Sequence, residues 1–325
     1  MTRAIVVRET GGPEKLLWEN VDVGKPGEGE VRIRHTAIGL NYIDVYFRAG
    51  LYPAPHLPFS PGFEGAGVVE AVGEAVDDFA VGDRVCYGTS PIGAYAESRL
   101  IPAANIVRIP DGIDDHTAAA MMLQGMTAQY LLRRTYTVQP GDTILFHAAA
   151  GGVGLIACQW AKYLGATVIG TVGSVEKAAL AKAHGCDHTI LYREENFVDR
   201  VREITNGRGV PVVYDSIGKD TYPASLDCLS PFGLMVSFGN ASGAVENFDP
   251  GLLALKGCLY FTRPTLFTYT ARREDLEMTA NDLFDVVGNG VIRINTNQTY
   301  PLADAAQAHR DLVVSDTAST EIYTV

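Results

Sequence analysis

Cysteine is scarce, and its placement excludes two classes of fold. Cys86, Cys158, Cys186, Cys228 and Cys258 are five in number and never arranged Cys-x-x-Cys. Neither a disulfide framework nor a cysteine zinc knuckle is expected, and the thiols should be free. Positive charge is also short. Lys and Arg number 26 against 38 Asp and Glu, a formal net charge of −12, and such a field repels nucleic acid and anionic lipid. No stretch approaches the roughly 18 consecutive apolar residues of a membrane span, and Met1 to Glu9 lacks the apolar run of a signal peptide. The expected location is the cytoplasm, with neither a membrane nor a nucleic-acid partner. Apolar residues, at 47%, and 34 glycines are what the chain has in plenty. Its length suits about two globular domains.

The first third alternates short β-branched runs with Gly and Pro turns: Ala4 to Val7, Glu30 to Arg34, Gly67 to Val72 and Asp83 to Tyr87. That texture predicts a β-rich, barrel-like domain. Near Pro110-Asp111-Gly112 it changes. Asp114 or Asp115 can cap a helix through Ala118 to Met122, with a second helical stretch from Thr127 to Arg134. From Thr143 onward apolar strands and helices alternate: Thr143 to Phe146, Leu155 to Leu164, Ala166 to Thr171, Val175 to Ala183, Thr189 to Tyr192, Pro211 to Asp215 and Leu234 to Phe238. Apolar strands bracketed by helices predict a doubly wound parallel sheet covered on both faces. A helix from Arg273 to Val287 and short strand-like pieces after it are assigned back to the first domain. The expected division is residues 1–122 with 266–325 for one domain and 123–265 for the other.

Directly after the Phe146 strand comes His147-Ala148-Ala149-Ala150-Gly151-Gly152-Val153-Gly154, and a helix follows at once. This is a dinucleotide fingerprint with Ala149, Gly151 and Gly154 at its three small positions. Small residues are needed there because backbone must approach a pyrophosphate while the helix N-terminus supplies N–H donors and positive potential. An NAD site would place an acidic residue at the end of the next strand to bind ribose hydroxyls. Nineteen residues beyond Gly154 stands Gly173 instead, followed by Ser174 and Lys177. A small residue, a hydroxyl and an ammonium suit a 2′-phosphate, which favours NADPH. The alternative is that Lys177 is a solvated helix lysine and Glu176 the ribose ligand.

With Ala37-Ile38-Gly39-Leu40-Asn41-Tyr42-Ile43-Asp44, Gly50-Leu51-Tyr52-Pro53, Tyr130-Leu131-Leu132, Val213-Tyr214-Asp215-Ser216, Ser237-Phe238-Gly239-Asn240 and Thr262-Arg263-Pro264, the sequence resembles the quinone oxidoreductase (zeta-crystallin-like) branch of the medium-chain dehydrogenase/reductase superfamily. The resemblance runs from Gly11 to about Ala308. It implies a GroES-like catalytic domain made from both chain ends, an inserted Rossmann domain and a homodimer. It also implies that NADPH is held by Asn41, Tyr42, Ile43, Asp44, Val45, Tyr46, Thr127, Tyr130, Ala150, Gly151, Gly152, Val153, Gly173, Ser174, Lys177, Tyr192, Ser216, Phe238, Gly239, Asn240, Ala241 and Arg263. Two departures stand out. The family often carries a C-terminal arginine for the 2′-phosphate where this chain has Asp316 in its tail, and its lysine before Gly125 is here Gln124.

Zinc-dependent relatives need a thiolate and an imidazole; the corresponding positions here are Asn41 and Phe63. No metal is expected, and alcohol oxidation is disfavoured. Hydride transfer then needs geometry and hydrogen-bond donors where negative charge develops. Asn41, Tyr46, Tyr52 and Arg263 are the candidate catalytic residues, the two tyrosines also offering flat faces to an aromatic acceptor. Ordinary loop packing is the competing account of both tyrosines. The expected activity is NADPH-dependent reduction of a quinone. Reduction of an alkenal or enone C=C bond is a sibling reading, and a non-catalytic nucleotide-bound protein, of crystallin or RNA-binding type, is the alternative from another class.

Overall fold

A computed structural model describes residues 2–314 and 320–325. Asp316, with the rest of Ser315 to Ser319, lies outside the described residues. In chain order the first elements are β1 (Thr2–Val6), β2 (Leu17–Val21), β3 (Glu30–Leu40), α1 (Tyr42–Ala49), β4 (Glu64–Val72), β5 (Arg84–Gly88), β6 (Ser98–Pro102), β7 (Val107–Arg108) and α2 (Asp115–Tyr130). Then follow β8 (Thr143–Phe146), α3 (Gly152–Tyr163), β9 (Thr167–Val172), α4 (Val175–Ala183), β10 (His188–Leu191), α5 (Phe197–Ile204), β11 (Val210–Asp215) and β12 (Leu229–Ser237). The last are α6 (Gly251–Leu255), β13 (Tyr260–Thr262), α7 (Leu266–Tyr269), α8 (Arg273–Gly288), β14 (Thr296–Pro301), α9 (Ala305–Val314) and β15 (Thr320–Thr324).

These elements form two compact units. One comprises residues 1–126, 269–288 and 294–325, the other 127–268 and 289–293. In the first unit, β3 pairs antiparallel with β4, β6 and β15, and the sheet runs β14-β15-β3-β4-β5-β7. Its eleven-residue strand β3 alternates outward Arg32 and Arg34 with buried Val31, Ile33 and His35, the period of two that one covered face demands. Around it Ile5, Ile33, Ile38, Val69, Val85, Tyr95 and Ile101 form one core. The last strand of the chain, β15, closes onto β3 with Ile322 opposite Gly39. This is why the C-terminus belongs to a domain begun by the N-terminus.

The second unit contains a parallel sheet in the order β10-β9-β8-β11-β12-β13, which is the strand order of a dinucleotide-binding sheet. Ile144, Leu145 and Phe146 of β8 are buried, as expected for a central strand covered on both faces. Strand order reverses between β8 and β11, and ligands of such sheets bind beyond the carboxyl ends of those strands.

One expectation is corrected. The helices around Ala118 to Met122 and from Thr127 are a single helix, α2, capped by Asp114, whose Oδ1 accepts the Thr117 N–H at 2.9 Å. A π turn from Leu131 to Thr135 follows it. Gly125 does not break α2. A Cβ there would stand 2.5 Å from Leu283 Cδ1, so the glycine admits a close-packed leucine from α8.

Candidate functional site

The glycine-rich turn is closed by its own backbone and opens into a helix N-terminus. Ala148 takes a left-handed backbone at φ 53, and its carbonyl accepts the Gly151 N–H at 2.8 Å, closing the turn. Helix α3 then starts with no side-chain cap and no acidic residue in its first turn. Its first N–H groups have no intrahelical acceptor and carry the positive end of the dipole. A Cβ on Gly151 would meet the Ala148 carbonyl at 3.2 Å and otherwise open space. One on Gly154 would fall 2.7 Å from the Ala149 carbonyl. Alanine at the first small position is tolerated because Gly170 faces it from β9: a Cβ on Gly170 would stand only 2.5 Å from the Ala149 Cβ. The two positions share one methyl's worth of room.

At the carboxyl end of β9, Ser174 caps α4, its Oγ accepting the Lys177 N–H at 3.3 Å. Tyr192 covers Gly173: a Cβ there would lie 3.2 Å from the Tyr192 hydroxyl oxygen and 3.6 Å from Arg193 Cζ. Arg193 thus joins the basic groups at this strand end. Motif spacing did not find it, although its position beside Tyr192 was the available signal. Glu176 is fully exposed, and hydrogen bonds to its own backbone and to Ser174 hold its carboxyl below the usual range.

Between the strand ends runs a buried network that joins the motif residues His147 and Asp215 to Thr171, Thr221 and Ser225, which no motif contains. Asp215 Oδ1 accepts the N–H groups of Ile217 at 2.7 Å and Gly218 at 3.1 Å, while Oδ2 accepts the hydroxyls of Thr221 and Ser225. Ser225 Oγ lies 3.0 Å from His147 Nε2, and His147 Nδ1 lies 2.9 Å from Thr171 Oγ1. Burial pushes the His147 pKa down, with Asp215 opposing. One imidazole therefore ties the ends of β8, β9 and β11. Beside it the Ser216 and Phe238 loops close together: the Ala241 N–H reaches the Ser216 carbonyl at 3.0 Å, and the Phe238 N–H reaches that of Asp215 at 2.7 Å. A Cβ on Gly239 would meet the Ser216 carbonyl at 2.6 Å.

So Ala150 to Val153, Ser216, Phe238, Gly239, Asn240 and Ala241 converge on the carboxyl ends of β8, β11 and β12. Gly173, Ser174, Lys177 and Tyr192 gather at β9. Arg263 follows β13, the sheet's outer strand, and donates to the Pro264 carbonyl at 3.2 Å. Thr127 and Tyr130 are buried within α2.

The first unit carries its own cluster. Asn41 ends β3 and begins α1, where its N–H donates to Asp44 Oδ2 at 3.0 Å. Its Nδ2 donates to Glu64 Oε2 at 2.6 Å, and its Oδ1 accepts from Gln124 Nε2 at 3.2 Å. Asp44 turns inward: Oδ2 also accepts the Tyr95 hydroxyl at 3.0 Å, that hydroxyl lies 3.1 Å from His309 Nε2, and His309 Nδ1 lies 3.2 Å from Arg48. Burial pushes the Asp44 carboxyl up to about 7. Asp44 is fully buried and its Oδ1 has no hydrogen-bond partner among the described residues.

Outside this cluster lies an aromatic row. Tyr42 packs edge-on to Tyr46 at 5.5 Å, Tyr46 on Tyr52 at 5.1 Å, Tyr52 on Phe47 at 5.7 Å and Phe47 on Phe63 at 5.2 Å. Val45 is buried and Ile43 half-buried on the same helix.

Two domain families match the chain: the alcohol dehydrogenase GroES-like domain over residues 27–111 and the zinc-binding dehydrogenase family over residues 152–287. A Pseudomonas aeruginosa protein named quinone oxidoreductase is 54% identical over 99% of both chains. This chain belongs to the quinone oxidoreductase family of medium-chain dehydrogenases and reductases. A Burkholderia 2-haloacrylate reductase is 49% identical over 95% of each chain. The solved structure of Escherichia coli quinone oxidoreductase complexed with NADPH superposes with a TM-score of 0.98 at 48% identity, covering 99% of this chain and 100% of that one.

The zinc in the name of the second family does not fit this family member. Asn41 offers a carboxamide already bonded to Glu64 and Gln124, and Phe63 offers a buried hydrocarbon ring, so neither supplies the thiolate or imidazole that zinc requires. A nicotinamide dinucleotide does fit. The open face at Gly151, the uncapped start of α3 and the Ser174–Lys177 strand end match its pyrophosphate and a 2′-phosphate.

Proposed function

We propose that the chain is an NADPH-dependent quinone oxidoreductase. The observation that carries the reading is the phosphate cradle at the β8–α3 turn, set in a sheet of dinucleotide-binding order and paired with a strand end that offers Ser174 and Lys177 instead of a carboxylate. The N–H groups of α3 bind the pyrophosphate, and Ser174, Lys177 and Tyr192 bind the ribose with its 2′-phosphate. Asn41 to Tyr46, Thr127, Tyr130, Ser216, Phe238 to Ala241 and Arg263 complete the binding set. NADPH supplies the hydride. The chain's part is to orient: Tyr46 and Tyr52 offer ring faces to a planar acceptor, while the Asn41 carboxamide and the Arg263 guanidinium stand as donors where the acceptor's oxygen gains charge.

The 49% identity to a 2-haloacrylate reductase favours a second reading, reduction of a C=C bond beside a carbonyl by the same hydride. Following NADPH oxidation with a naphthoquinone beside an enone separates the two. NADPH binding with neither acceptor turned over would support a non-catalytic role.

We further propose that residues 1–122 with 266–325 form the GroES-like catalytic domain and 123–265 the nucleotide domain, a division supported by the two compact units. Homodimerisation is supported by outer strand β13, whose Tyr260 is 62% exposed, and by Phe232 at 69% and Leu255 at 81%, apolar surface beside an unpaired strand edge. A cytoplasmic location is supported by five free thiols. Among the described residues no helix is long and apolar enough to cross a membrane.

A further inference from the structure

The buried chain from Asp215 through Ser225 and His147 to Thr171 ends at the glycine-rich turn, and its hydrogen bonds run in one direction only. All four residues are buried. A serine hydroxyl has one hydrogen to give. Ser225 Oγ stands 3.1 Å from Asp215 Oδ2 and 3.1 Å from the Thr221 carbonyl, and both of these groups only accept. Its hydrogen is therefore taken on that side. Towards His147 Nε2, 3.0 Å away, Ser225 is left to accept, so the imidazole proton sits on Nε2. Burial pushes the ring's pKa down against the opposing charge of Asp215, and the neutral ring carries that proton alone. Nδ1 is then an acceptor, and Thr171 Oγ1, at 2.9 Å, gives it the hydroxyl hydrogen. Thr171 keeps its lone pairs, one of which receives the Ala148 N–H at 3.4 Å.

Ala148 is where the turn is made. Its left-handed backbone at φ 53 is one that alanine seldom adopts. Its carbonyl closes the turn on the Gly151 N–H at 2.8 Å, and Thr171 holds the next N–H, of Ala149, through its own carbonyl at 3.1 Å. Phe197 packs edge-on against the imidazole at 5.1 Å. Moving the imidazole proton to Nδ1 would undo the arrangement. Thr171 would then accept from the ring, and its own hydrogen would either point at the Ala148 N–H or stay buried without an acceptor, which is costly.

We propose that His147 is a positioning residue: Ser225, itself held by Asp215, keeps the ring proton on Nε2, and the ring acts through the Thr171 hydroxyl to hold Ala148 in the conformation that shapes the pyrophosphate site. This rests on the reading that the glycine-rich turn binds the pyrophosphate of NADPH.

The test combines nitrogen NMR with nucleotide titration on the full chain. Histidine is isotope-labelled and observed at about pH 7.5, above the ordinary histidine value. The His147 signal is identified among the seven histidines by its loss in His147→Asn or, should that variant fail to fold, by its shift in Thr171→Val. Wild type should show Nε2 protonated and Nδ1 bare. Thr171→Val removes the hydroxyl and keeps the branched shape. Its Kd for NADPH and for NADH, read by fluorescence titration, should rise by one common factor, about three- to tenfold, the worth of one hydrogen bond, because both nucleotides carry the pyrophosphate. Thr171→Ser keeps the hydroxyl and should restore tight binding. Ser225→Ala should bring up signal from the Nδ1–H form and weaken both nucleotides, yet weaken them no further when added to Thr171→Val, the non-additivity expected of groups acting in series.

A wild-type ring protonated on Nδ1, or on both nitrogens, overturns the proposal. So does wild-type affinity in Thr171→Val, or an equal loss from Ser225→Ala with and without the Thr171 hydroxyl. Gly151→Ala separates this proposal from the reading beneath it. If its affinity stays at the wild-type value, the turn does not hold the pyrophosphate and both fail; a loss there beside unchanged binding in Thr171→Val overturns the role of His147 alone.

Discussion

Replacing Gly154 with alanine tests the cradle at its tightest point. The new Cβ would stand 2.7 Å from both the carbonyl carbon and the oxygen of Ala149, whereas carbon atoms make their best contact at roughly 3.5–4.0 Å. The methyl is therefore about 1 Å too close, and what it meets is backbone. That backbone cannot swing aside, because the Ala149 N–H is bonded to the Thr171 carbonyl at 3.1 Å and the Gly151 N–H to that of Ala148 at 2.8 Å. Relief must come from α3 drawing back. Overpacking of this kind costs about 1–3 kcal/mol, and each kcal/mol lowers Tm by about 2–4 °C in a domain of about 150 residues or more. The same retreat moves the helix N–H groups about 1 Å from the pyrophosphate, a misplacement that can cost up to about 100-fold. NADPH affinity, read by fluorescence titration, should weaken by about 10- to 100-fold, and calorimetry should show the lower Tm. Gly151→Ala makes the complementary case: its Cβ meets the Ala148 carbonyl at 3.2 Å and otherwise points into open space, so binding should fall with little loss of Tm. Wild-type affinity and Tm in Gly154→Ala would refute the idea that close helix–turn packing creates the phosphate site.

Lys177→Ala should raise KM for NADPH by about tenfold or more, the loss of one charge-assisted bond, and leave KM for NADH unchanged; equal cofactor preference in both proteins would discard the 2′-phosphate assignment. Removing the ring in Tyr46→Ala or Tyr52→Ala should raise KM for a naphthoquinone about two- to tenfold, the range of one aromatic contact, and identical kinetics would return these tyrosines to simple packing. Stability should fall on both sides of a maximum near pH 6. Burial pushes His35 down to about 4 and His309 to about 3, so their contribution is complete above about pH 6.5 and is lost as pH falls through those values. Asp44 and Glu64 are raised, to about 7 and about 8, so theirs is complete below about pH 4 and is lost as pH rises through those values. Tm measured from about pH 3 to about pH 9 would contradict this if it stayed flat, and Glu64→Gln should weaken the alkaline decline alone.

Much of this protein was legible along the chain, because what was read there is local. Alternation in Glu30 to Arg34 marks a half-buried strand. The uncharged run Thr143 to Phe146 marks a covered one, and Ala149, Gly151 and Gly154 declare a turn that backbone must approach closely. Ser174 and Lys177, which we propose meet the 2′-phosphate, could be picked out because a strand end and the helix after it are neighbours in sequence. The zinc question was also answerable from residue type, with Asn41 and Phe63 where ligands would stand.

Only the tertiary structure decided the rest. It made α2 one helix, because Leu283 from α8 fills the space beside Gly125. It explained Ala149 through Gly170, joined His147 to Ser225 across 78 positions, and brought Tyr95 to His309 across 214. It bonded Asp44 to the Tyr95 hydroxyl and set Glu64 against Asn41. Those outcomes depend on hydrogen bonds and packing between residues far apart in sequence, and their strength comes from burial. Periodicity and motif spacing record which residues sit on one face of an element; they carry no information about which distant side chain meets that face, or about whether a buried carboxyl finds a donor there.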